Sequence, residues 1–386
     1  MQQLVSALRA LPPDIDVHGP EPSVIAALTD AQLVTAVGGA IAGPKVKGSS
    51  FTLHAPMELL ARATLLPLAP PNMRSAGRMR IAGIAALYAE GDEVDRPDVP
   101  SCPPEEAKAK LLAALRDHDS DGADAALMAL APQVPAQDLC AELTDLIAAS
   151  LGAAAHAPIL LAALPEAAPR YGDLALTVRT AIRGLAAARG HLTWVDGDKS
   201  AGGPKDLWEA LAAPPRRDAP SSSIAPTMLA VEKNGLAASL LGEATGLPLE
   251  DARIALSRIA ALSMLQDDPD HAPYGWSHCL TLPQGLLALA PYSKNPARLV
   301  RIAATYVLGF RSTLGKVRLE KDWRPVPVDV TALAANALVH EDAHLAKYTV
   351  ACLRAAADDP PARPLFLAAA AHLAAWWERA GVPRGV

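Results

Sequence analysis

Aromatic side chains are scarce: 3 Phe, 6 Tyr and 6 Trp make up 4% of 386 residues, so few rings are at hand to stack on a flat ligand. Positive charge is not in excess. With 35 Lys and Arg against 41 Asp and Glu, the net charge is −6, which argues against a general nucleic-acid binder, whose surface needs clustered cations. Cysteine is sparse, and Cys102, Cys140, Cys279 and Cys352 form no Cys-x-x-Cys, so neither a zinc ribbon nor a redox dithiol is expected. Mean hydropathy is +0.17, yet long apolar runs are lacking. The longest, such as 364–377, is Ala-rich, too short to span a bilayer and interrupted by His372, so no membrane partner is expected. Residues 1–12 lack a long apolar stretch and a cleavage-like site, so no signal peptide is expected, and reduced thiols in a cytoplasmic protein are the default. There is no Walker-type Gly-Lys-Ser/Thr, no Gly-x-Gly-x-x-Gly and no Gly-x-Ser-x-Gly, which removes the P-loop, Rossmann and nucleophile-elbow readings.

What remains is a chain that is 51% hydrophobic and long enough for a sizeable core, its Ala/Leu segments broken by 35 prolines and 25 glycines. Helical periodicity predicts helices over 24–42, 57–68, 73–90, 105–117, 124–131, 137–151, 159–168 and 174–189. It continues over 205–213, 227–241, 249–265, 280–289, 296–314, 330–356 and 364–380. Val/Ile alternation is nearly absent, and the best strand-like stretch, 323–330, carries two prolines, so no sheet is predicted. Loops are expected at 91–104, 195–204 and 214–223, the last as a flexible segment inside a single domain over 1–386. The fold class is therefore all-α: a multi-helix single domain with a metal site buried among helix starts.

The most informative segment is Leu338-Val-His340-Glu341-Asp342-Ala-His344-Leu-Ala-Lys347-Tyr348-Thr-Val-Ala-Cys352. On one continuous helix, His340 and His344 stand one turn apart, with Lys347 a further turn along. The same residues read His-Glu-x-x-His, in which two imidazoles hold zinc and Glu341 acts as general base. A zinc hydrolase is thus one reading; a solvated stripe on a non-catalytic helical scaffold is another. Glu341-x-x-His344 has no second copy, so a di-metal bundle is not supported. Asp117-His-Asp119-Ser-Asp121-Gly122 begins like an EF-hand loop, but its twelfth position is Met128, so a turn capping the next helix is expected.

Three further histidines, His54, His156 and His278, each stand at the head of an apolar helix. Singly each reads as a core histidine. Together with His344 they offer four imidazoles from four helices, a donor set that suits iron or zinc.

These segments resemble the questin oxidase-like family of non-heme iron oxygenases. The stretch His54-Ala-Pro56-Met57 is similar to the family's early motif, with Leu53 where the family usually has Asn. His156 is similar to its next histidine, and His278-Cys-Leu-Thr281-Leu-Pro283 to its later His-x-x-Thr-x-Pro. Asp342-Ala-His344-Leu-Ala-Lys347-Tyr-Thr-Val-Ala-Cys352-Leu is similar to its near-C-terminal motif. The resemblance runs from His54 to Cys352, and His340 lies outside it. It implies a mononuclear Fe(II) held by His54, His156, His278 and His344, with Lys347 as a carbamate completing the set. It also implies O2-dependent oxidation of an aromatic polyketide-like molecule, by ring cleavage or Baeyer–Villiger-type insertion. Tyr274, Trp276 and Tyr348 lie close in sequence to these residues and are the candidates to stack on such a substrate. Any requirement for NADPH, and the oligomeric state, are not written in the sequence.

Overall fold

Alanine and leucine are strong helix formers, and runs of β-branched residues are missing, so local propensity and apolar periodicity favour the same element almost everywhere. The structure is a computed structural model describing residues 2–172, 174–188, 190–197, 203–218, 223–233, 235–324 and 326–380. Among these the chain forms nineteen α-helices and no strand, as the fold class predicts. They are α1 (Gln2–Arg9), α2 (Ser23–Ala26), α3 (Asp30–Ala40), α4 (Ser50–Leu65), α5 (Pro71–Tyr88), α6 (Pro104–Asp117) and α7 (Ser120–Leu130). Then come α8 (Ala136–Ile147), α9 (Ala157–Tyr171), α10 (Arg179–Ala187), α11 (Leu207–Leu211), α12 (Ile224–Lys233) and α13 (Leu236–Leu241). The last six are α14 (Leu249–Gln266), α15 (Ser277–Ala288), α16 (Pro296–Leu314), α17 (Val330–Val339), α18 (Ala343–Asp358) and α19 (Arg363–Ala380).

The differences from the periodicity reading fall at caps, which apolar spacing does not register. The expected helix 24–42 divides at Thr29, whose hydroxyl accepts from the Gln32 amide at 3.2 Å while Gln32 Oε1 accepts from the Thr29 amide at 2.9 Å, a reciprocal capping box. The expected helix 227–241 divides at Gly235, which adopts φ +69°. Helix α4 starts seven residues before the expected 57, because the Ser49 side chain caps it. Asp119 caps α7 in the same way, confirming a turn where the EF-hand-like stretch stood. The flexible segment expected at 214–223 lies partly outside the described residues. Its described part is fastened to the end of α16, the Arg217 amide donating to the Ser312 carbonyl at 2.9 Å.

The most consequential difference is at 330–356. The chain leaves helical geometry at His340 (φ −59°, ψ 145°), and α18 restarts after Asp342, whose carboxylate accepts from the His344 amide at 2.7 Å. Nitrogen to carboxylate capping wins over continuation there. His340 and His344 are therefore not one turn apart on one helix, and the spacing that a His-Glu-x-x-His zinc site needs is lost.

The buried core is one contiguous cluster running from Leu8 to Ala374. At its centre α4 packs on α18, α18 on α15, α15 on α9 and α9 back on α4, so these four close a ring. Gly285 matters for that ring. A side chain there would put Cβ 2.8 Å from the Cα of Ile159, so only glycine lets α15 and α9 approach so closely. On the outside, α5 and α17 brace α4. The buried Arg62 of α4 pairs with Glu58 at 2.6 Å and donates to the carbonyls of Leu338, Ala337 (3.1 Å) and His340 (2.6 Å), satisfying the frayed end of α17.

Candidate metal centre

Each of the four ring helices begins at the same place, and each carries its histidine in its first turns. His54 is the fifth residue of α4, His156 the residue before α9, His278 the second of α15 and His344 the second of α18. Separate local devices set these starts. Ahead of α9, Ala153, Ala154 and Ala155 all take left-handed geometry (φ 50°, 49° and 59°), which is costly for alanine and held here by the surrounding fold. Ahead of α15 the chain makes a π turn over Ala272–Trp276. Asp342 caps α18.

The result is a cluster of buried imidazoles, none more than 7% exposed. His54 Nε2 lies 3.1 Å from His156 Nε2, and that atom lies 3.0 Å from His278 Nε2. The donor atoms of these three all fall within 4.8 Å of one another. His344 closes the circuit, its ring centroid 4.6 Å from that of His54 and 5.0 Å from that of His278, while His54 and His278 are 6.3 Å apart across it. His344 Nε2 is buried without a hydrogen-bond partner.

The tautomers follow from what the other ring nitrogens meet. His156 Nδ1 faces the Ala154 carbonyl at 2.7 Å, His278 Nδ1 faces the Tyr274 carbonyl, and His344 Nδ1 faces Asp342 Oδ1 at 3.0 Å. All three partners are acceptors, so each Nδ1 carries the proton and each neutral ring presents a lone pair at Nε2. Two such lone pairs 3.0 Å apart repel unless a cation lies between them. Histidines oriented through Nδ1 with free Nε2 atoms converging are what a metal site requires. Donors about 2.1 Å from one ion and at right angles to each other lie roughly 3.0 Å apart, against roughly 3.4 Å at a tetrahedral angle. The observed spacings match the first. The residues therefore fit a metal ion bound through imidazole nitrogens.

Electrostatics agree. Burial depresses all four imidazoles below their ordinary range, with the Lys347 ammonium adding to the effect on each. Lys347 itself, one turn after His344, is lowered to about 8 by burial, with Asp342 and Glu58 pulling the other way. Burial also raises Asp342. Four helices begin near the cluster, and the positive ends of their dipoles oppose protonated rings and a bare cation alike, an effect the Asp342 carboxylate beside His344 offsets in part.

Two of the three aromatic candidates are not placed to meet a ligand. Trp276 is fully buried, its Nε1 donating to the Asp268 carbonyl at 2.9 Å, and Tyr348 is fully buried. Tyr274 is 55% exposed and sits edge-on to His344, with ring centroids 4.9 Å apart. His340 stacks 5.4 Å from Trp377, and its Nδ1 accepts from the Asp342 amide at 3.0 Å.

A cavity of 470 Å³ opens onto His54 and His344, with Tyr274, Phe51, Arg80 and Lys45 in its wall. Sequence reasoning missed Arg80, which donates to the Glu341 carbonyl, lies 3.9 Å from Glu58 and leaves Nε buried without a hydrogen-bond partner. It also missed Glu58 and Arg62, although a Glu–Arg pair at i, i+4 in an otherwise apolar helix start was a readable signal. Among the described residues no helix is long and apolar enough to cross a membrane.

Comparisons with protein-family models, with curated proteins and with solved structures find no match to this chain.

Proposed function

We propose that the protein is a metal-dependent oxidoreductase that binds Fe(II) at His54, His156 and His278, with His344 completing the circuit and Lys347 beside it. Its substrates are O2 and a small aromatic, polyketide-like molecule. The observation that carries this reading is the convergence of the His54, His156 and His278 Nε2 atoms at 3.0 and 3.1 Å, with the protons of His156 and His278 held on the far side of the ring by backbone carbonyls. All-imidazole donors suit iron and zinc alike, and the near-right-angle spacing of the two close pairs is what favours iron over tetrahedral zinc. The resemblance to the questin oxidase-like family supports the same metal and the same substrate class.

Iron, when bound, supplies one-electron chemistry with O2. The protein's own residues do the rest. The Ala154 and Tyr274 carbonyls and the Asp342 carboxylate orient three of the rings. The 470 Å³ cavity has room for a fused aromatic molecule, and Tyr274 and Phe51 offer it ring faces and edges. Arg80, whose Nε makes no hydrogen bond and lies 3.9 Å from Glu58, stands in the cavity wall, where its guanidinium would attract a phenolate or carboxylate oxygen. The depressed Lys347 is neutral often enough near pH 8 to react as an amine, which is what carbamate formation by CO2 needs.

Elemental analysis of the purified protein tests this. Iron at about one per chain, falling below about a tenth of that in His156→Ala and His278→Ala, is expected for a mononuclear site. A metal-free protein, or metal content indifferent to these changes, would refute it. Oxygen uptake with and without NADPH then shows where reducing equivalents come from.

A further inference from the structure

Oxidisable rings are few, with 6 Tyr and 6 Trp in the whole chain, and three of them stand on one path that leaves the metal centre. The path starts at His344. Tyr274, in the π turn over Ala272–Trp276, is edge-on to that imidazole, with ring centroids 4.9 Å apart. Tyr274 also meets Trp377 of α19 at 6.3 Å, and Trp377 meets Trp376 at 4.9 Å with the two rings nearly perpendicular. These spacings fall in the roughly 4.5–7 Å range of aromatic rings in contact. Helix α19 packs against both α18 and the π turn, so the contacts that build the core also hold the rings in order. Tyr274 belongs to the wall of the 470 Å³ cavity, whereas Trp377 and Trp376 lie outside that wall. Trp376 is only half-buried, so the far end of the path meets solvent.

We propose that Tyr274, Trp377 and Trp376 form a one-electron relay between the metal centre and the surface, which returns an electron to the centre when O2 reacts there with no organic substrate in the cavity. Phenol and indole rings can each lose one electron without breaking their skeleton, and tunnelling between touching rings is far faster than one jump across the same span. Without such an outlet, the oxidising power of an O2-exposed metal falls on its own ligands. Each hop carries one electron inward and leaves a hole on the ring behind it. Tyr274, 55% exposed, gives its phenolic proton to water on losing its electron and takes one back when Trp377 supplies the replacement. Trp377 keeps its proton, because its Nε1 is buried without a hydrogen-bond partner. The hole ends on Trp376, where a soluble one-electron reductant such as ascorbate fills it. The inference rests on the metal reading above, which supplies the oxidant.

Two arms test it. In the metal-free protein, azide radicals made by pulse radiolysis oxidise tryptophan, and the tryptophanyl absorption should pass to a tyrosyl absorption at a rate independent of protein concentration. That transfer should be lost in Trp377→Phe, which keeps a packed ring that resists oxidation. It should be lost as well in Trp376→Phe, at the half-buried outer end, so the result does not hang on one variant folding. In protein loaded with Fe(II) and exposed to O2 without organic substrate, peptide mapping should find added oxygen at Trp376. In Trp377→Phe carrying the same iron, that oxygen should move to Tyr274 and the cluster histidines, and Trp377→Tyr, which restores an oxidisable ring, should return it to Trp376. No transfer in the unaltered protein, or transfer that persists in both Phe variants, overturns the proposal. So does oxidation at Trp376 that is the same with and without the Trp377 ring. A chain that takes up no metal contradicts the proposed function instead, and the radiolysis arm still decides whether the rings conduct.

Discussion

The two ends of the central helix ring are built oppositely. At the N-terminal end, titratable side chains crowd together, helix starts gather, and two backbone carbonyls and one carboxylate hold three of the four imidazoles in place. Further along the same helices, the wall of a 160 Å³ cavity mixes Ala61, Ala163, Gly285 and Ala351 with the charged Glu166, Arg354 and Asp358. Polar groups buried without partners are costly, so the upper end exists only because something repays the desolvation. The lower end instead keeps its charges paired towards the surface, Glu166 with Arg354 and Asp358 with Arg253, while Gly285 brings α15 close against α9.

The largest expected effect lies at the upper end. Replacing His156 or His278 by alanine removes the central donors, and metal content is expected to fall to background by elemental analysis. His372→Ala, at a half-buried histidine outside the cluster, should leave it unchanged.

Acid should separate the ends as sharply. The folded-state imidazoles lie below their unfolded value of 6.5, so below that pH the unfolded chain binds protons the metal-free folded chain refuses. Stability is therefore present above pH 6.5 and lost as pH falls, by about 1.4 kcal/mol per pH unit for each ring. Denaturant midpoints of the metal-free protein at pH 7.5 and 5.5 read this, and the His156→Ala variant should show a shallower slope.

Next comes the brace beneath the cluster. Arg62→Met strands the buried Glu58 carboxylate and three carbonyls at the end of α17, at a cost of about 3 to 5 kcal/mol in unfolding free energy. Asp342→Ala removes both the α18 cap and the acceptor for His344 Nδ1. It should cost about 1 kcal/mol of stability and weaken metal binding 10- to 100-fold, roughly. Asp342→Asn keeps an acceptor oxygen and should recover part of both. Tyr274→Ala, at an exposed ring, should change stability by less than about 0.5 kcal/mol while altering substrate KM.

Much of this was legible in the sequence, for identifiable reasons. The all-α class followed from Ala/Leu periodicity, and α14, α16 and α19 begin and end within a residue of where apolar spacing put them. The grouping of His54, His156 and His278 followed from their position at helix starts, whereas His344, expected inside one long helix, was joined to them by its motif with Lys347. The break at His340 did not follow, because the apolar pattern runs unbroken from Val330 to Ala356 and only the Asp342 cap interrupts it. The aromatic candidates were chosen by nearness in sequence, and the helical turn that exposes Tyr274 buries Trp276 two residues later.

The account stands on a single ion among the imidazoles. Diffraction from protein loaded anaerobically with ferrous iron, collected across the iron absorption edge, tests it most directly. One anomalous peak between the Nε2 atoms of His54, His156 and His278, missing from His156→Ala crystals, is the predicted result. A map without a peak there would contradict it.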